Sequence, residues 1–406
     1  MAKIIPFKAV RPKRDKVGLV ASRSYQSYTR AQREARLRDN PFSFLHIINP
    51  GYRYAKTIAG KARYNLVRNR YLEFKEDEIF IEDASPCYYI YKIIDRDGQE
   101  FNGIIAAASA EDYENNIIKK HEDTIEKREV IFKEYLKTVG FNAEPVLLTY
   151  PDNSNIEKII EICQLQRSEY EFTTTHRDTH YLWCVCDKEH IEIIKNEFEQ
   201  MPSIYIADGH HRCSSSYLLY KDEVSKNESY KYFMVYLIPE SDVKILEFNR
   251  LVRDLNDLTK EEFLIQLDAI FRIENRGQVV YKPSKRHHFT MYLDGEFYSL
   301  YLRKNQFIID SSLDDLDAYI LYKTILKPIL GIDDLRKDTR ISYINGKRDI
   351  ADLKYEVDSG RYEVGFGMIP ADITQMKKIA DEGLTMPPKS TYIEPKLRSG
   401  ITIYEF

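Results

Sequence analysis

The residues most able to do chemistry are concentrated in one short segment, ADGHHR, at positions 207–212. It follows an apolar stretch, Ile204–Ile206, that predicts a buried strand. Gly209 permits a tight turn there, and a helix that begins just after it would point unpaired backbone N–H groups at a bound anion. The pattern predicts an anion-binding turn between a strand and a helix.

The side chains of this turn suit a phosphate ligand. Arg212 and the two histidines, His210 and His211, can donate hydrogen bonds to phosphate oxygens, and Asp208 can bind Mg²⁺ or orient a histidine. The alternative is a purely structural turn, in which Asp208 is the N-cap of the helix and the histidines are solvated.

A second candidate is the pair His121 and Glu122. A glutamate can act as general base on a hydroxyl if it reaches within hydrogen-bond distance of the proton. Asp123, followed three residues later by Glu126, resembles a capping box and predicts a helix start, with a stop at Gly140. The alternative is therefore a solvated glutamate that interacts only with the helix dipole.

A third candidate is the proline-rich segment MPPKSTYIEPK, residues 386–396. Three prolines stiffen the segment, as a positioned binding loop requires. Its lysines and hydroxyls, Lys389, Ser390, Thr391 and Lys396, suit a phosphate or a carboxylate, whereas the alternative is an exposed turn.

The segment NPFSFLH offers polar side chains at Asn40, Ser43 and His46 that could bind a substrate. Its aromatic residues could equally belong to the core. The chain contains neither the G-x-x-x-x-G-K-[ST] nor the G-x-G-x-x-G pattern, so a phosphate ligand would need a different scaffold.

The elements around these residues predict an α/β fold of mixed α+β type. Residues 180–225 read as strand, helix, strand, tight loop and helix, which places the loop at the end of a strand. Apolar stretches on either side of Asp95–Gly98 predict a β-hairpin. The pattern changes after about residue 250, so we predict an N-terminal α/β region over 1–250 and a C-terminal α+β region over 251–406.

Composition and sequence patterns argue against several classes of protein. The 60 basic and 64 acidic residues nearly balance, which argues against nucleic-acid binding. No apolar run approaches the roughly 20 residues that span a bilayer, and the first residues lack a secretory pattern, so we expect a cytoplasmic protein without membrane contact. The five cysteines lack metal-ligand spacing, and we expect no disulfide framework. Cys184 and Cys186 lie two apart in an apolar run, and we expect them to be core thiols.

Seven ordered blocks along nearly the whole chain resemble a widespread family known only as a domain of unknown function. The blocks are FKAVRP, NPFSFLH, IKKHEDT, IYIADGHHR, DLDAYILYKTILKPILGI, ISYINGKRD and ADEGLTMPPKSTYIEPKLRSG. The DGHHR box is similar to that of free-serine kinases of the ParB and sulfiredoxin superfamily. The resemblance implies a ParB/sulfiredoxin-like core in the N-terminal region.

The resemblance also implies an activity: transfer of a phosphoryl group from pyrophosphate, or from a nucleotide, to free L-serine with Mg²⁺. Glu122, Asp208 and His210 would then be catalytic, with Asp208 also binding the metal. Residues of the loops would bind phosphate: Gly209, His211, Arg212, Lys389, Ser390, Thr391 and Lys396. The substrate would contact Asn40, Ser43, His46 and His121.

Three other functions stay open at this point. A ParB-like protein could bind nucleic acid or cleave it in a nucleotide-dependent way. A sulfiredoxin-type redox enzyme would need a reactive cysteine near the loop, and Cys213 follows Arg212. A metabolite sensor would bind the same ligands without turnover. The sequence leaves the oligomeric state undetermined.

Overall fold

The computed structural model of the chain describes residues 1–54 and 56–406. It forms two compact units, and each is discontinuous in sequence. The first unit comprises Met1–Lys119, Thr124–Val243 and Pro395–Phe406. The second unit comprises Lys120–Asp123 and Lys244–Glu394. The segment MPPKSTYIEPK is therefore divided between the two units after residue 394.

The first unit contains helices and strands in alternation. Its helices are α1 (Val17–Val20), α2 (Arg30–Asp39), α3 (Leu45–Ile48), α4 (Gly60–Glu76), α5 (Ala110–Glu114), α6 (Glu126–Val139), α7 (Ser154–Gln164), α8 (Lys188–Gln200) and α9 (His210–Glu223). Its strands up to Val243 are β1 (Ile4–Ile5), β2 (Val10–Pro12), β3 (Phe80–Glu82), β4 (Tyr88–Ile94), β5 (Glu100–Ser109), β6 (Ile118–Lys119), β7 (Phe141–Asn142), β8 (Val146–Tyr150), β9 (Tyr170–Thr173), β10 (Thr179–Val185), β11 (Ile204–Asp208) and β12 (Tyr232–Pro239).

Most of the first unit's strands join one mixed sheet in the order β6-β11-β8-β12-β5-β4-β10-β9, with β1 paired to β5. The pairs β11/β6 and β12/β8 are parallel, and the other pairs are antiparallel. The predicted hairpin is confirmed, because β4 and β5 pair in register through the turn at Asp95–Gly98. Apolar side chains of these strands form a core with α7 and α8.

The predicted succession of strand, helix, strand, loop and helix is also confirmed, as β10, α8, β11 and α9. Asp187 caps α8, because its side chain accepts hydrogen bonds from the backbone N–H groups of Glu189 and His190. The strands β10 and β11 are not neighbours, since four other strands lie between them. Sequence order alone did not indicate this separation.

The strands of the second unit are β13 (Lys244–Leu246), β14 (Phe248–Val252), β15 (Phe271–Gly277), β16 (His288–Leu293), β17 (Glu296–Leu302), β18 (Ile341–Asn345), β19 (Val364–Gly367) and β20 (Tyr392–Glu394). Most of them form an antiparallel sheet in the order β15-β17-β16-β19-β14-β18, and β13 pairs with β20. Its helices are α10 (Lys260–Asp268), α11 (Asp317–Leu321), α12 (Ala351–Asp358) and α13 (Ile373–Asp381). The fold is thus a mixed α/β fold, as predicted.

The final segment, residues 395–406, is part of the first unit and contributes the strand β21 (Tyr404–Glu405), which pairs with β7. The backbone of Ile403 forms hydrogen bonds with that of Val10, and the backbone of Ser399 forms them with that of Ser22. Ile401 and Ile403 are buried. The segment is therefore packed into the first unit and forms part of its structure.

Two local predictions are wrong. The helix α6 begins at Glu126 with Ile125 as its N-cap and no side-chain cap, so Asp123 forms no capping box. The Thr124 hydroxyl instead donates to Glu129. The end of α6 is as predicted, because Gly140 adopts a left-handed conformation with φ 77°.

The expectation of a core thiol is wrong for Cys186, which is exposed and forms a disulfide with Cys87. The two residues extend the register in which Tyr88 faces Val185. Cys163 and Cys213 are buried free thiols and Cys184 is half-buried. None of the described helices is long and apolar enough to cross a bilayer.

Candidate functional site

The ADGHHR turn lies where β11 ends and α9 begins, both in the first unit. Ile204 and Ile206 anchor the strand in the core, and the register with β8 shifts between Ile206 and Asp208. Such a bulge re-aims the side chains that follow it. Gly209 then takes φ 101° and ψ 30°, a left-handed conformation that favours glycine.

Gly209, and not Asp208, is the N-cap of α9, and no side chain caps this helix. The structural alternative in which Asp208 is the N-cap is therefore wrong. The backbone N–H groups of Arg212 and Cys213 donate to the Gly209 carbonyl at 2.9 and 3.0 Å. The first turn of the helix begins directly beside the Asp208 carboxylate.

The Asp208 carboxylate lies between two cations. Its Oδ2 accepts a hydrogen bond from Arg212 Nη2 at 3.2 Å, and its Oδ1 is 3.7 Å from Lys396 Nζ. Burial raises the pKa of Asp208, but the charges of Lys396, Arg212 and His210 outweigh burial and hold that pKa below its ordinary value. Asp208 is thus an ionised carboxylate at neutral pH.

Arg212 is held by the protein on more than one side. Besides Asp208, its Nη1 lies 3.0 Å from Glu144 Oε1 and donates to the Pro145 carbonyl at 2.5 Å. Glu144 comes from the connection between β7 and β8. Arg212 therefore braces the turn through its guanidinium, in addition to any contact with a ligand.

Sequence reasoning missed Glu144, because a single glutamate before a proline carries no recognisable pattern. The final segment holds it in place, since Ser399 Oγ donates to Glu144 Oε2 at 3.1 Å and Gly400 N donates to the Ala143 carbonyl at 3.0 Å. The same segment supplies Lys396, whose side chain is exposed. Backbone pairing thus brings a distant lysine and glutamate to the turn.

The two histidines occupy the first turn of α9. His210 is buried, whereas His211 is half-buried. Cys213 is fully inside the core of the first unit, as predicted for a residue that faces inward. An inward-facing thiol does not suit the redox alternative, which needs an accessible cysteine.

The NPFSFLH side chains are engaged in local hydrogen bonds. Asn40 Nδ2 donates to the Leu19 carbonyl at 2.7 Å, and the Ser43 hydroxyl lies 3.1 Å from that of Ser22. His46 Nε2 is 3.1 Å from the Asn40 carbonyl, and burial lowers the pKa of His46. These contacts shape a turn between α2 and α3.

His121 and Glu122 belong to the second unit, within residues 120–123. His121 is fully buried and Glu122 is half-buried. The His121 carbonyl accepts a hydrogen bond from Met386 N at 2.8 Å, and Asp123 Oδ2 accepts one from Thr385 Oγ1 at 3.1 Å. This short segment is therefore fixed to the residues at the start of the proline-rich loop.

The proline-rich loop of the second unit is also rigid. Ser390 Oγ donates to the Pro387 carbonyl at 2.7 Å, and both Ser390 and Thr391 are buried. Lys389 is exposed with φ 59°, and its carbonyl accepts from Arg250 Nη2 at 3.2 Å. Arg250 is a buried cation, and burial lowers its pKa to about 10.

Comparison with known proteins gives distant structural similarities. A mutant free serine kinase in complex with AMP matches at 13% identity and a TM-score of 0.38, over 73% of this chain and 92% of that chain. SbnI with a C-terminal truncation, from Staphylococcus aureus, matches at 13% identity and a TM-score of 0.39, over 73% of this chain and 85% of that chain. A conserved hypothetical protein from Pyrococcus furiosus matches at 11% identity and a TM-score of 0.34, over 73% and 94%.

No curated protein matches the sequence. A family match covers residues 4–319, which include the ADGHHR turn, the His121 and Glu122 pair and the NPFSFLH turn. The matched range is more than three quarters of the 406 residues. The chain belongs to the family described as "Protein of unknown function (DUF1015)".

Proposed function

We propose that this protein is a small-molecule kinase that transfers a phosphoryl group from pyrophosphate to the hydroxyl of free L-serine. The observation that supports it best is the ADGHHR turn, where an ionised Asp208 lies between Arg212 and Lys396 at the N-terminus of α9. Phosphoryl transfer depends mainly on positioning the phosphates and neutralising their charge. The resemblance of the DGHHR box to that of free-serine kinases supports the acceptor.

The turn offers three kinds of group to a phosphate chain. The α9 N-terminus supplies backbone N–H groups and the positive end of a 14-residue helix dipole. Lys396 supplies a compact point charge, and Arg212 a planar guanidinium. The bonds of Arg212 to Glu144 and Asp208 hold its guanidinium in one orientation, which is the pre-organisation that electrostatic catalysis needs.

One property of Asp208 favours Mg²⁺ binding, and another opposes it. It is ionised, and Mg²⁺ is commonly bound by one or two carboxylates together with substrate phosphates and water. Arg212 and Lys396 already lie beside this carboxylate and would repel a metal ion. The negative charge of the bound phosphate chain would have to offset that repulsion. When bound, Mg²⁺ would neutralise charge on the transferred group.

In the proposed reaction the serine Oγ forms a bond to one phosphorus of pyrophosphate, and the bond from that phosphorus to the bridging oxygen breaks. Phosphate leaves, and the hydroxyl proton passes to a base. Glu122 is the base that we propose from the resemblance, and His210 is a further catalytic candidate. The Lys389–Thr391 loop is the proposed supplementary phosphate site.

The test is an assay of the purified protein with L-serine and Mg²⁺, with pyrophosphate, ATP or ADP offered separately and O-phosphoserine detected by mass spectrometry. We expect product with pyrophosphate. We expect Asp208→Asn and Lys396→Gln each to lower turnover by about 10²–10³-fold, the usual effect of removing one group that stabilises transition-state charge. We expect Glu122→Gln to lower it by about 10²–10⁴-fold, the usual contribution of a general base.

Matched controls are Asp15→Asn and Lys226→Gln, which remove the same charges at exposed positions of the first unit. Both should retain full activity. If O-phosphoserine forms only with ATP or ADP, the phosphoryl donor is that nucleotide and not pyrophosphate. Absence of O-phosphoserine with every donor, from a protein with an intact circular dichroism spectrum, would refute the kinase.

A further inference from the structure

Apart from the ADGHHR turn, the first unit has a cleft lined by α2, the turn after it and the Thr175–His176 loop. Its volume is about 690 Å³, within the range of small-molecule sites. None of the residues proposed above for phosphate binding lines it. Asn40 contributes to its wall, but the Asn40 amide is bonded to the Leu19 carbonyl.

Two arginines give the cleft its charge. Arg23 stacks on Tyr28 with Cζ 4.3 Å from the ring centroid, and Arg23 Nε is buried and has no hydrogen-bond partner among the described residues. A buried guanidinium N–H without a partner is costly, and a ligand that accepts it would remove the cost. Arg36 is oriented by its hydrogen bond to Thr175 Oγ1 at 2.7 Å.

Acidic groups near the cleft do not cancel this charge. Asp39 lines the wall and is bonded to Arg38 Nε at 2.8 Å. Asp178 is bonded to Arg398 at 2.7 Å. Arg23 and Arg36 therefore remain as the cations of the cleft that are not in an ion pair with a carboxylate among the described residues.

His176 is also part of this wall. Burial lowers the pKa of His176, and the charges of Arg23, Arg398 and Arg36 lower it further, against an opposing effect of Asp178. The imidazole is therefore neutral at pH 7 and can donate one hydrogen bond to an oxyanion without adding charge.

We infer that this cleft binds a small phosphate monoester, with the phosphate on Arg23 and Arg36 and the rest of the molecule along Tyr28, Pro41 and Phe42. Two guanidinium groups match the charge of a phosphate dianion and its several acceptor oxygens. The aromatic and proline side chains provide an apolar wall for an organic group. This inference does not rest on the proposed kinase activity.

The test is isothermal titration calorimetry of the full chain with phenyl phosphate, inorganic phosphate and phenylacetate. We expect phenyl phosphate to bind more tightly than inorganic phosphate, which lacks the apolar group, and than phenylacetate, which carries one charge. Arg23→Gln and Arg36→Gln should each weaken phenyl phosphate binding about tenfold, which is about 1.4 kcal/mol, because each removes a charge-assisted hydrogen bond.

The matched control is Arg30→Gln, because Arg30 lies on α2, as Arg36 does, but is exposed and outside the cleft. Lys396→Gln is the control for binding at the ADGHHR turn. Neither should change the affinity. Tighter binding of phenylacetate, no binding of phenyl phosphate, or an affinity lost in Lys396→Gln but kept in Arg23→Gln and Arg36→Gln would overturn the inference.

Discussion

Asp208 shows how the neighbours of one residue set its charge. Burial alone would favour the neutral acid, yet Lys396 and Arg212 keep the pKa below its ordinary value of 3.8. A carboxylate that is ionised and cation-paired in the folded state also contributes to folding. Its contribution is present above the unfolded-state pKa and is lost as pH falls through the lowered folded-state pKa.

We predict that Asp208→Asn lowers the free energy of unfolding at pH 7 and that the difference from the parent chain shrinks as pH falls below about 4. Urea unfolding of both proteins at several pH values measures this difference. Asp15→Asn, at an exposed position, controls for general acid effects. A difference that is constant with pH would show that the ion pairs of Asp208 do not contribute to stability.

Individual residues differ in how well the sequence alone predicts their positions. The ADGHHR turn was predicted because a buried strand, a glycine and a polar helix start are adjacent in the chain. Glu144 and Cys87 were not, since each reaches its partner through tertiary pairing: Glu144 contacts a residue 68 positions away, and the disulfide spans 99 positions. Spacing patterns in one sequence report local geometry, and these contacts are not local.

At the scale of elements, the disulfide joins the residue before β4 to the residue after β10. Both strands already pair in the sheet, so the bond adds little order to the folded state. Its effect is on the unfolded chain, where it closes a loop of about a hundred residues and reduces the conformational entropy.

We predict that Cys186→Ser lowers the free energy of unfolding by about 2–4 kcal/mol in a non-reducing buffer. Cys186 is exposed, so the substitution removes the bond without opening a cavity. Chemical denaturation with and without dithiothreitol measures the effect. The reductant should destabilise the parent chain and leave Cys186→Ser unchanged; equal stability of the two proteins without reductant would contradict the prediction.

The start of α6 illustrates why element boundaries were harder to predict than elements. Asp123 and Glu126 have the spacing of a capping box, but Asp123 accepts a hydrogen bond from Thr385 instead. Asp123 thus bonds to a residue distant in sequence and does not cap the helix. The end of the helix was predicted correctly, because the left-handed conformation of Gly140 follows from its residue type and needs no distant partner.

At the scale of the whole molecule, the first unit is completed by residues far from the rest of it in sequence. Ile401, Ile403 and Tyr404 are buried there, and β21 pairs with β7. Burying one large apolar side chain contributes about 1.5–3 kcal/mol, so the three together approach the total stability of a typical domain.

We therefore predict that deletion of residues 395–406 prevents stable folding of the first unit, seen as loss of its cooperative unfolding transition. Ile403→Ala should give a graded effect, a loss of about 2–5 kcal/mol from a fully buried site. Lys226→Gln, at an exposed position of the same unit, should unfold like the parent chain. A cooperative transition of normal amplitude in the deleted chain would disprove this.

The exchange of segments between the units has a consequence for biosynthesis. A ribosome produces residues 395–406 only after the whole of 244–394, so the nascent first unit must wait for more than 150 residues before its last strand exists. During that interval the edge of β7 and the cavity for Ile403 are uncovered. The growing chain is therefore most exposed to aggregation, and most in need of a chaperone, just before its synthesis reaches Pro395.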